Sequence, residues 1–263
     1  MEKLFDSHAH YFDSRFEQEG GVDTLLAALF ADRVGYVINI GTNIENSKVC
    51  IAQAARYPQM YCTVGIHPSD GQEYADADTA LAELEQLLGT PDTRCAQKIV
   101  ALGEIGLDYH YDDTDKDRQA YVFEEQMEMA QRHGLPVVIH DREAHGDCFE
   151  TVLRHPEVRG VFHSYSGSAE MARELVRRGW YLSFSGTLTF KNAERVRAAA
   201  AVVPRDRLLI ETDAPYLAPH PHRGKLNHSG LLVHSLEILA QLWSCTPEEA
   251  AQITAQNAET LFF

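Results

Sequence analysis

Two histidines near the beginning of the chain, His8 and His10, are separated by one residue and follow a short apolar segment. Side chains two residues apart on a β-strand project to the same side, so both imidazoles can face a common site. Adjacent imidazole nitrogens are typical ligands of zinc, manganese, iron or nickel. The pair alone is a weak signal, and it predicts a metal site only if further donors lie beside it.

Further donors follow later apolar segments, each near the point where the segment ends. These are His67, Glu104, Asp108, His140, His163 and Asp213. A buried imidazole or carboxylate destabilises a protein unless it is paired or bound to a metal, so a group of them needs a common partner. The metal ligands predicted on this basis are His8, His10, Glu104, His140, His163 and Asp213.

Six ligands are more than a single tetrahedral ion requires. Two divalent cations (Mg²⁺, Mn²⁺ or Zn²⁺), about 3.5–4 Å apart and sharing one carboxylate, would use all six. Glu104 is predicted to be the shared ligand, because the residues beside it offer no lysine for a carbamylated bridge. Of the remaining ligands, the first ion is predicted to be bound by His8, His10 and Asp213. The second ion is predicted to be bound by His140 and His163.

Strands and helices must position these residues, and the apolar residues of the chain alternate between the spacing of strands and the spacing of helices. Eight short apolar segments predict strands at residues 4–8, 36–41, 61–66, 99–107, 136–140, 160–163, 181–185 and 208–212. Several of them are apolar at consecutive positions, as in parallel strands that are buried on both faces. Helical spacing predicts helices at residues 22–32, 44–57, 79–88, 117–133, 147–155, 168–178 and 192–202, followed by a helical tail at 231–243 and 247–261.

Eight βα units in 263 residues predict an α/β protein with one domain, residues 1–263. The expected fold is a single (β/α)8 TIM barrel with a C-terminal helical extension, in which the carboxyl ends of the strands converge on the active site. A doubly wound open sheet is the alternative. Such a sheet normally has a glycine-rich phosphate loop after its first strand, where this chain has His8 and His10.

The composition narrows the class of protein further. An apolar content of 44% without a long uncharged segment predicts a globular protein that does not span a membrane. A net charge of -16 disfavours a protein that binds nucleic acid over a broad basic surface. It is compatible with a small nucleic-acid site in which metal ions supply the positive charge. Five scattered cysteines, and residues 1–6 without the features of a signal peptide, predict a reducing, cytoplasmic location. Nothing in the pattern indicates an obligate protein partner.

The chain resembles the TatD-like metal-dependent hydrolases in six motifs, which occur in the family's order. The motifs are Asp6-Ser7-His8-Ala9-His10, Val64-Gly65-Ile66-His67-Pro68, Gly103-Glu104-Ile105-Gly106-Leu107-Asp108-Tyr109, His140-Asp141-Arg142-Glu143-Ala144, Phe162-His163-Ser164-Tyr165-Ser166-Gly167 and Glu211-Thr212-Asp213-Ala214-Pro215-Tyr216-Leu217. The resemblance implies a TIM-barrel hydrolase with two divalent metals, usually a Mg²⁺-dependent DNase or 3′–5′ exonuclease. It also implies metal-ligand roles at the six residues predicted above.

The chain departs from the family in one loop. The family usually has Arg-Gly-x-x-Asn-x-Pro after the eighth strand, and this chain has Ser229 where that proline is expected. Arg223 begins the same motif in a loop without acidic residues, so it is a candidate to contact a phosphate. His67 and Asp108 are the other predicted substrate contacts, and Asp108 could instead orient a ligand histidine.

Asp213 and Glu104 are the predicted catalytic residues, with Asp213 the general base that deprotonates an activated water. The expected reaction is hydrolysis of a phosphodiester in single-stranded DNA or at DNA ends. An alternative is hydrolysis of a carboxylic ester, lactone or amide, such as an aminoacyl ester, because the same nucleophile attacks a carbonyl. A third hypothesis is a barrel that binds metal without catalysis.

Overall fold

The computed structural model describes residues 3–263, without the side chain of Glu19. Met1 and Glu2, which begin the predicted domain and the N-terminal segment, lie outside the described residues. Eight strands form one parallel sheet in sequential order. They are β1 (Leu4–Ala9), β2 (Val34–Ile40), β3 (Met60–Val64), β4 (Ile99–Asp108), β5 (Val137–Arg142), β6 (Gly160–Phe162), β7 (Tyr181–Phe184) and β8 (Leu208–Ile210).

The last strand lies beside the first. Ala9 pairs with Ala214 as an isolated parallel bridge, and the backbone N–H of His10 donates to the carbonyl of Ala214 over 2.7 Å. The N–H of Asp213 donates in turn to the carbonyl of His8 over 2.9 Å. Sequential strand order together with this closing contact makes the fold a (β/α)8 TIM barrel, which confirms the prediction from the sequence.

Helices follow the strands along the chain. They are α1 (Val22–Ala31), α2 (Ile44–Arg56), α3 (Pro68–Gly71), α4 (Ala77–Leu88), α5 (Pro91–Gln97), α6 (Lys116–His133), α7 (His145–Arg154), α8 (Ala169–Arg177), α9 (Glu194–Val202), α10 (Leu232–Trp243) and α11 (Pro247–Phe262). The last two form the predicted C-terminal extension. Short 3₁₀ helices occupy Ser14–Glu19, Gly186–Thr189, Arg205–Arg207 and Ser229–Leu231. Within residues 3–263, no helix has both the length and the apolar character needed to cross a bilayer.

Local sequence signals set several helix ends. Thr246 and Glu249 form a capping box at the start of α11, in which each side chain bonds to the other residue's backbone N–H. Gly134 ends α6 with φ at 63°, a left-handed conformation that glycine adopts without steric cost. These caps explain why the predicted bounds of the long helices lie within a few residues of the observed ones.

Contacts divide the described residues into two compact units, residues 3–39 with 163–263, and residues 40–162. The first unit has Phe16 and Phe184 among its fully buried side chains, and the second has Phe123 and Phe162. In both units the strands are buried on both faces, as their consecutive apolar residues predict. The single domain expected from the sequence stays a prediction.

Gly106 lies in β4, opposite His140 of β5, with φ at 141°. A Cβ at this position would collide with the carbonyl oxygen of His140. We therefore expect Gly106→Ala to lower the free energy of unfolding by roughly 2–4 kcal/mol, because the backbone must shift to relieve the clash. Urea denaturation monitored by circular dichroism measures this change.

Gly146→Ala in α7 is the matched control, since a Cβ there meets no atom within 4 Å. That substitution should be neutral or should stabilise the protein by up to about 1 kcal/mol, because alanine favours the helix. Equal unfolding free energies for both variants would contradict the close approach of β4 to β5.

Candidate metal centre

The first cluster comprises His8, His10 and Asp213 and lies where β1 and β8 end. The Nε2 atoms of His8 and His10 are 3.0 Å apart, which confirms that both imidazoles face the same side. Oδ1 of Asp213 lies 3.4 Å from Nε2 of His10 and 3.7 Å from Nε2 of His8. Three potential ligand atoms, two nitrogens and one oxygen, therefore converge on one point.

The spacing of these atoms suits a divalent cation. Ligand atoms held about 2.1 Å from an ion lie roughly 3.0–3.4 Å apart at octahedral or tetrahedral angles. Two of the three observed distances fall in this range, and the third exceeds it only slightly. Two imidazoles and a carboxylate fit zinc or manganese as well as the harder magnesium ion.

The charge state of Asp213 also favours binding of a divalent cation. Burial acts to raise the pKa of its carboxyl group, but the hydrogen bond with His10 and the charges of His8 and His163 outweigh burial and lower that pKa. The carboxylate is thus ionised at neutral pH and available to a cation. Its backbone has a left-handed φ of 56°, an uncommon conformation for a residue other than glycine that is often found at functional sites.

His163 belongs to the same unit and follows β6. Its ring stacks on that of His8, with centroids 4.0 Å apart, and its Nδ1 lies 3.2 Å from Oε1 of Glu211. The N–H of Ser164 donates to the same oxygen over 2.8 Å. A carboxylate that holds one nitrogen of a histidine fixes the ring and directs the other nitrogen toward a ligand.

Glu211 belongs to the candidate site, and the sequence analysis did not predict it. Its motif is part of the family resemblance, but no role was predicted for it. The signal was available, because an acidic residue directly after the apolar strand β8 is buried and needs a partner. Only the fold identifies His163 as that partner.

A hydrogen-bond network behind the first cluster fixes the segment that carries Asp213. Buried Asp6 accepts hydrogen bonds from the N–H and hydroxyl of Thr212 and from the hydroxyl of Ser229, at 2.9, 2.6 and 2.7 Å. Burial raises the pKa of Asp6 to about 6, and these bonds oppose the rise. Ser229 also donates its backbone N–H to the hydroxyl oxygen of Tyr11. A proline here would have neither the N–H nor the hydroxyl.

The second cluster comprises His67, Glu104, Asp108 and His140. Nδ1 of His140 lies 2.7 Å from Oε1 of Glu104, and its Nε2 lies 3.1 Å from Oδ2 of Asp108. The Nε2 atom of His67 is 3.8 Å from the same oxygen of Glu104. The imidazole of His140 and the two carboxylates at these distances again suit a divalent cation, with the ring of His67 beside them.

Glu104 lies within β4 and not at its end. The register between β4 and β5 shifts between Gly103 and Ile105, and the N–H of Glu104 donates to the carbonyl of Gly41 over 2.8 Å. This irregularity redirects the side chain without ending the strand. The apolar pattern of residues 99–107 cannot reveal it.

Asp108 and His67 differ in what they can do. The charges and hydrogen bonds around Asp108, chiefly with His140, outweigh its burial and lower its pKa, so it can hold that ring. Nδ1 of His67 accepts the N–H of Ser69 over 3.1 Å. In the neutral ring the proton is then on Nε2, which makes that nitrogen a donor and not a metal ligand.

The structure thus groups the predicted site residues within each compact unit, with one exception. From the sequence, His163 is predicted to share an ion with His140, and this assignment stays a prediction; within its own unit the ring of His163 stacks on that of His8. Arg223 is exposed, belongs to neither cluster and lies over the ring of Phe190, 3.7 Å from its centroid.

Comparison with known proteins gives consistent results. A family model described as TatD related DNase matches residues 5–263. The chain is 37% identical to the uncharacterized metal-dependent hydrolase YabD of Bacillus subtilis, with 98% of each chain covered. It is 35% identical to the uncharacterized metal-dependent hydrolase YcfH of Escherichia coli, with 98% of this chain and 95% of the relative covered. The crystal structure of YjjV, a TatD homologue from Escherichia coli, matches with a TM-score of 0.88 at 32% identity, over 98% of this chain and 97% of that one.

Asp213→Asn keeps the shape of the side chain and removes its charge. We expect it to weaken Mn²⁺ or Zn²⁺ binding by at least about tenfold, because the ion loses an anionic ligand. In wild-type protein, ion at a hundred times Kd should stabilise the fold by about 2.7 kcal/mol, and chelation should remove this gain. Calorimetric titration and thermal unfolding measure both effects.

Asp206→Asn is the control, since Asp206 is an exposed acid that pairs with Arg207. Histidine ligands must be neutral to bind an ion, so wild-type affinity should fall as the pH drops below about 6.5. The lowered pKa of Asp213 keeps its carboxylate ionised over that range. Unchanged affinity in Asp213→Asn would show that this carboxylate is not a ligand.

Proposed function

The chain belongs to the TatD-related DNase family and is a metal-dependent hydrolase, and from this premise we propose that it hydrolyses phosphodiester bonds in DNA. The proposed substrate is single-stranded DNA or a DNA end, cleaved as by a 3′–5′ exonuclease. The main support is that each compact unit places imidazole and carboxylate groups within ligand distance of one another. Two such clusters fit a hydrolase that uses two cations.

We propose that the clusters hold two divalent cations, Mg²⁺, Mn²⁺ or Zn²⁺. His8, His10 and Asp213 would hold the first, His140 and His163 the second, and Glu104 would be shared. When bound, such cations lower the pKa of a water molecule and neutralise the nonbridging oxygens of a phosphate. Glu211 would direct His163 toward its ion, since it occupies the Nδ1 side of that ring.

The chain's own residues accept a proton from the attacking water and donate a hydrogen bond to the phosphate. Asp213, ionised and fixed by its backbone hydrogen bond to His8, accepts a proton from the attacking water as the general base. His67, whose Nδ1 accepts the N–H of Ser69, donates a hydrogen bond from Nε2 to a phosphate oxygen or to the leaving oxygen and keeps its proton, and the leaving oxygen is protonated by solvent. Asp108 keeps the ring of His140 in place. The reaction therefore needs an ionised acid at one cluster and an imidazole donor at the other.

The cysteines support a cytoplasmic location for this activity. All five are free, and Cys50, Cys62 and Cys148 are buried. Burial raises the pKa of the Cys50 and Cys148 thiols well above the ordinary value of a thiol. Burial also raises the pKa of the Cys62 thiol, to about 12. Such thiols are inert and stay reduced, which suits a reducing compartment.

Glu104→Gln tests the proposed function. It preserves the size of the side chain but removes the charge that both cations would share, so nucleotide release should fall by about a thousandfold or more. Release from end-labelled single-stranded oligonucleotides, assayed separately with Mg²⁺, Mn²⁺ and Zn²⁺, measures the rate and the polarity. Glu83→Gln, which changes an exposed acid in α4, is the charge-matched control.

Full activity of Glu104→Gln would contradict the shared-carboxylate role. Metal-loaded wild-type protein should also be assayed on carboxylic esters, lactones, amides and aminoacyl esters. Turnover of those compounds without release of nucleotides would replace the phosphodiesterase with the alternative hydrolase.

A further inference from the structure

A cavity of about 570 Å³ lies beside the segments that follow β7 and β8. One wall is formed by residues after β7, chiefly Thr187, Phe190, Lys191 and Asn192, and the other by His220 and Arg223. All of these residues belong to the compact unit that holds the first cluster. The cavity is distinct from the two clusters, because none of the predicted metal ligands lines it.

The cavity carries an unusual charge for this protein. The chain has 39 acidic and 23 basic residues, yet none of the described residues lining the cavity is acidic. Lys191 and Arg223 are exposed, and no ion pair with a carboxylate is found for either within residues 3–263. Two cations that line one cavity without a counter-charge form a site suited to an anion.

The walls are held in place by contacts of their own. Arg197 donates to the carbonyl oxygens of Leu188 and Phe190, at 3.0 and 2.9 Å, which fixes the segment leading to Lys191. The N–H of His220 donates to the hydroxyl of Thr189 over 2.7 Å and joins the two walls. The cavity is therefore a built feature and not a gap between loose loops.

The guanidinium of Arg223 is positioned by an aromatic ring. It lies 3.7 Å from the centroid of Phe190, a cation–π arrangement that restricts the long side chain. The planar guanidinium can still present its N–H groups to a phosphate in bidentate fashion. Lys191 adds a second, more flexible charge in the same cavity.

A short chain of hydroxyl groups connects the cavity to the residue that follows His163. Ser164, the residue after His163, has its Oγ 2.9 Å from that of Ser185. The Oγ of Ser185 is in turn 3.1 Å from Oγ1 of Thr187 in the cavity wall. The cavity thus lies only a few side chains from His163, a predicted metal ligand.

We propose that this cavity binds a phosphate group of the substrate strand outside the bond being cleaved, so that the enzyme recognises single-stranded nucleic acid longer than a dinucleotide. This inference rests on the proposed function. It assigns Lys191, His220 and Arg223 to strand binding, which gives an acidic protein a local means of holding a polyanion. A small ester substrate would make no use of it.

The test measures binding separately from hydrolysis. Protein treated with chelator is titrated, at low salt, into a labelled single-stranded oligonucleotide of about a dozen nucleotides, and fluorescence anisotropy gives Kd. Lys191→Met and Arg223→Met should each raise Kd by about tenfold and reduce the magnitude of the salt slope by about 0.7. The loss should be smaller for a dinucleotide than for the longer strand.

Lys225→Met is the matched control, because Lys225 is an exposed cation close to Arg223 in the chain but does not line the cavity. Equal losses from Lys225→Met and Lys191→Met would show a general effect of charge and overturn the site. So would unchanged Kd in both cavity variants, no binding of the oligonucleotide by wild-type protein, or its displacement by comparable concentrations of inorganic phosphate.

The outcomes also separate this site from the proposed function. If the cavity variants lose oligonucleotide binding but wild-type protein releases no nucleotides, the binding site is supported and the phosphodiesterase activity is rejected. If wild-type protein releases nucleotides but neither cavity substitution affects oligonucleotide binding, the phosphodiesterase activity is supported and the binding site is rejected.

Discussion

Buried imidazoles and carboxylates near the carboxyl ends of the strands impose the constraint on which this structure depends. His8 and Glu104 are almost fully buried, and an ionisable group in such a place costs several kcal/mol unless a charge or ion compensates it. In the first unit the histidines lower the pKa of Asp213, and in the second His140 lowers that of Asp108. Each cluster therefore contains an ionised aspartate beside imidazole nitrogens, which a divalent cation would stabilise.

The segment after β8 carries residues of both the first cluster and the proposed strand-binding cavity. It carries Asp213 at one end and Ser229 at the other, and the hydroxyl of Ser229 bonds to Asp6 in β1. Where the family usually has a proline, which stiffens a loop through its ring, this chain fixes the loop by hydrogen bonds. Arg223 lies between these anchors, so the same segment positions a predicted metal ligand and carries a cation of the proposed strand-binding cavity.

Much of the architecture could be predicted because it follows from local patterns. Consecutive apolar residues such as Val137-Val138-Ile139 identify buried parallel strands, and the polar residues that follow mark the side of the barrel that carries the site. The short helices α3 and α5 were not predicted, since 4 and 7 residues are too few to show a helical period. The position of Glu104 within β4, the contact of Glu211 with His163 and the cavity around Arg223 depend on tertiary packing, which one sequence does not display.

Anomalous scattering from crystals soaked with Mn²⁺ tests most directly whether the clusters exist to hold metal. Two peaks per chain are expected, one about 2.2 Å from Nε2 of His8, Nε2 of His10 and Oδ1 of Asp213, and one bound by His140, with Glu104 in contact with both. Metal analysis of the same protein in solution should give two ions per chain. Clusters without a peak at saturating Mn²⁺, or a single ion bound elsewhere, would contradict the two-cation site.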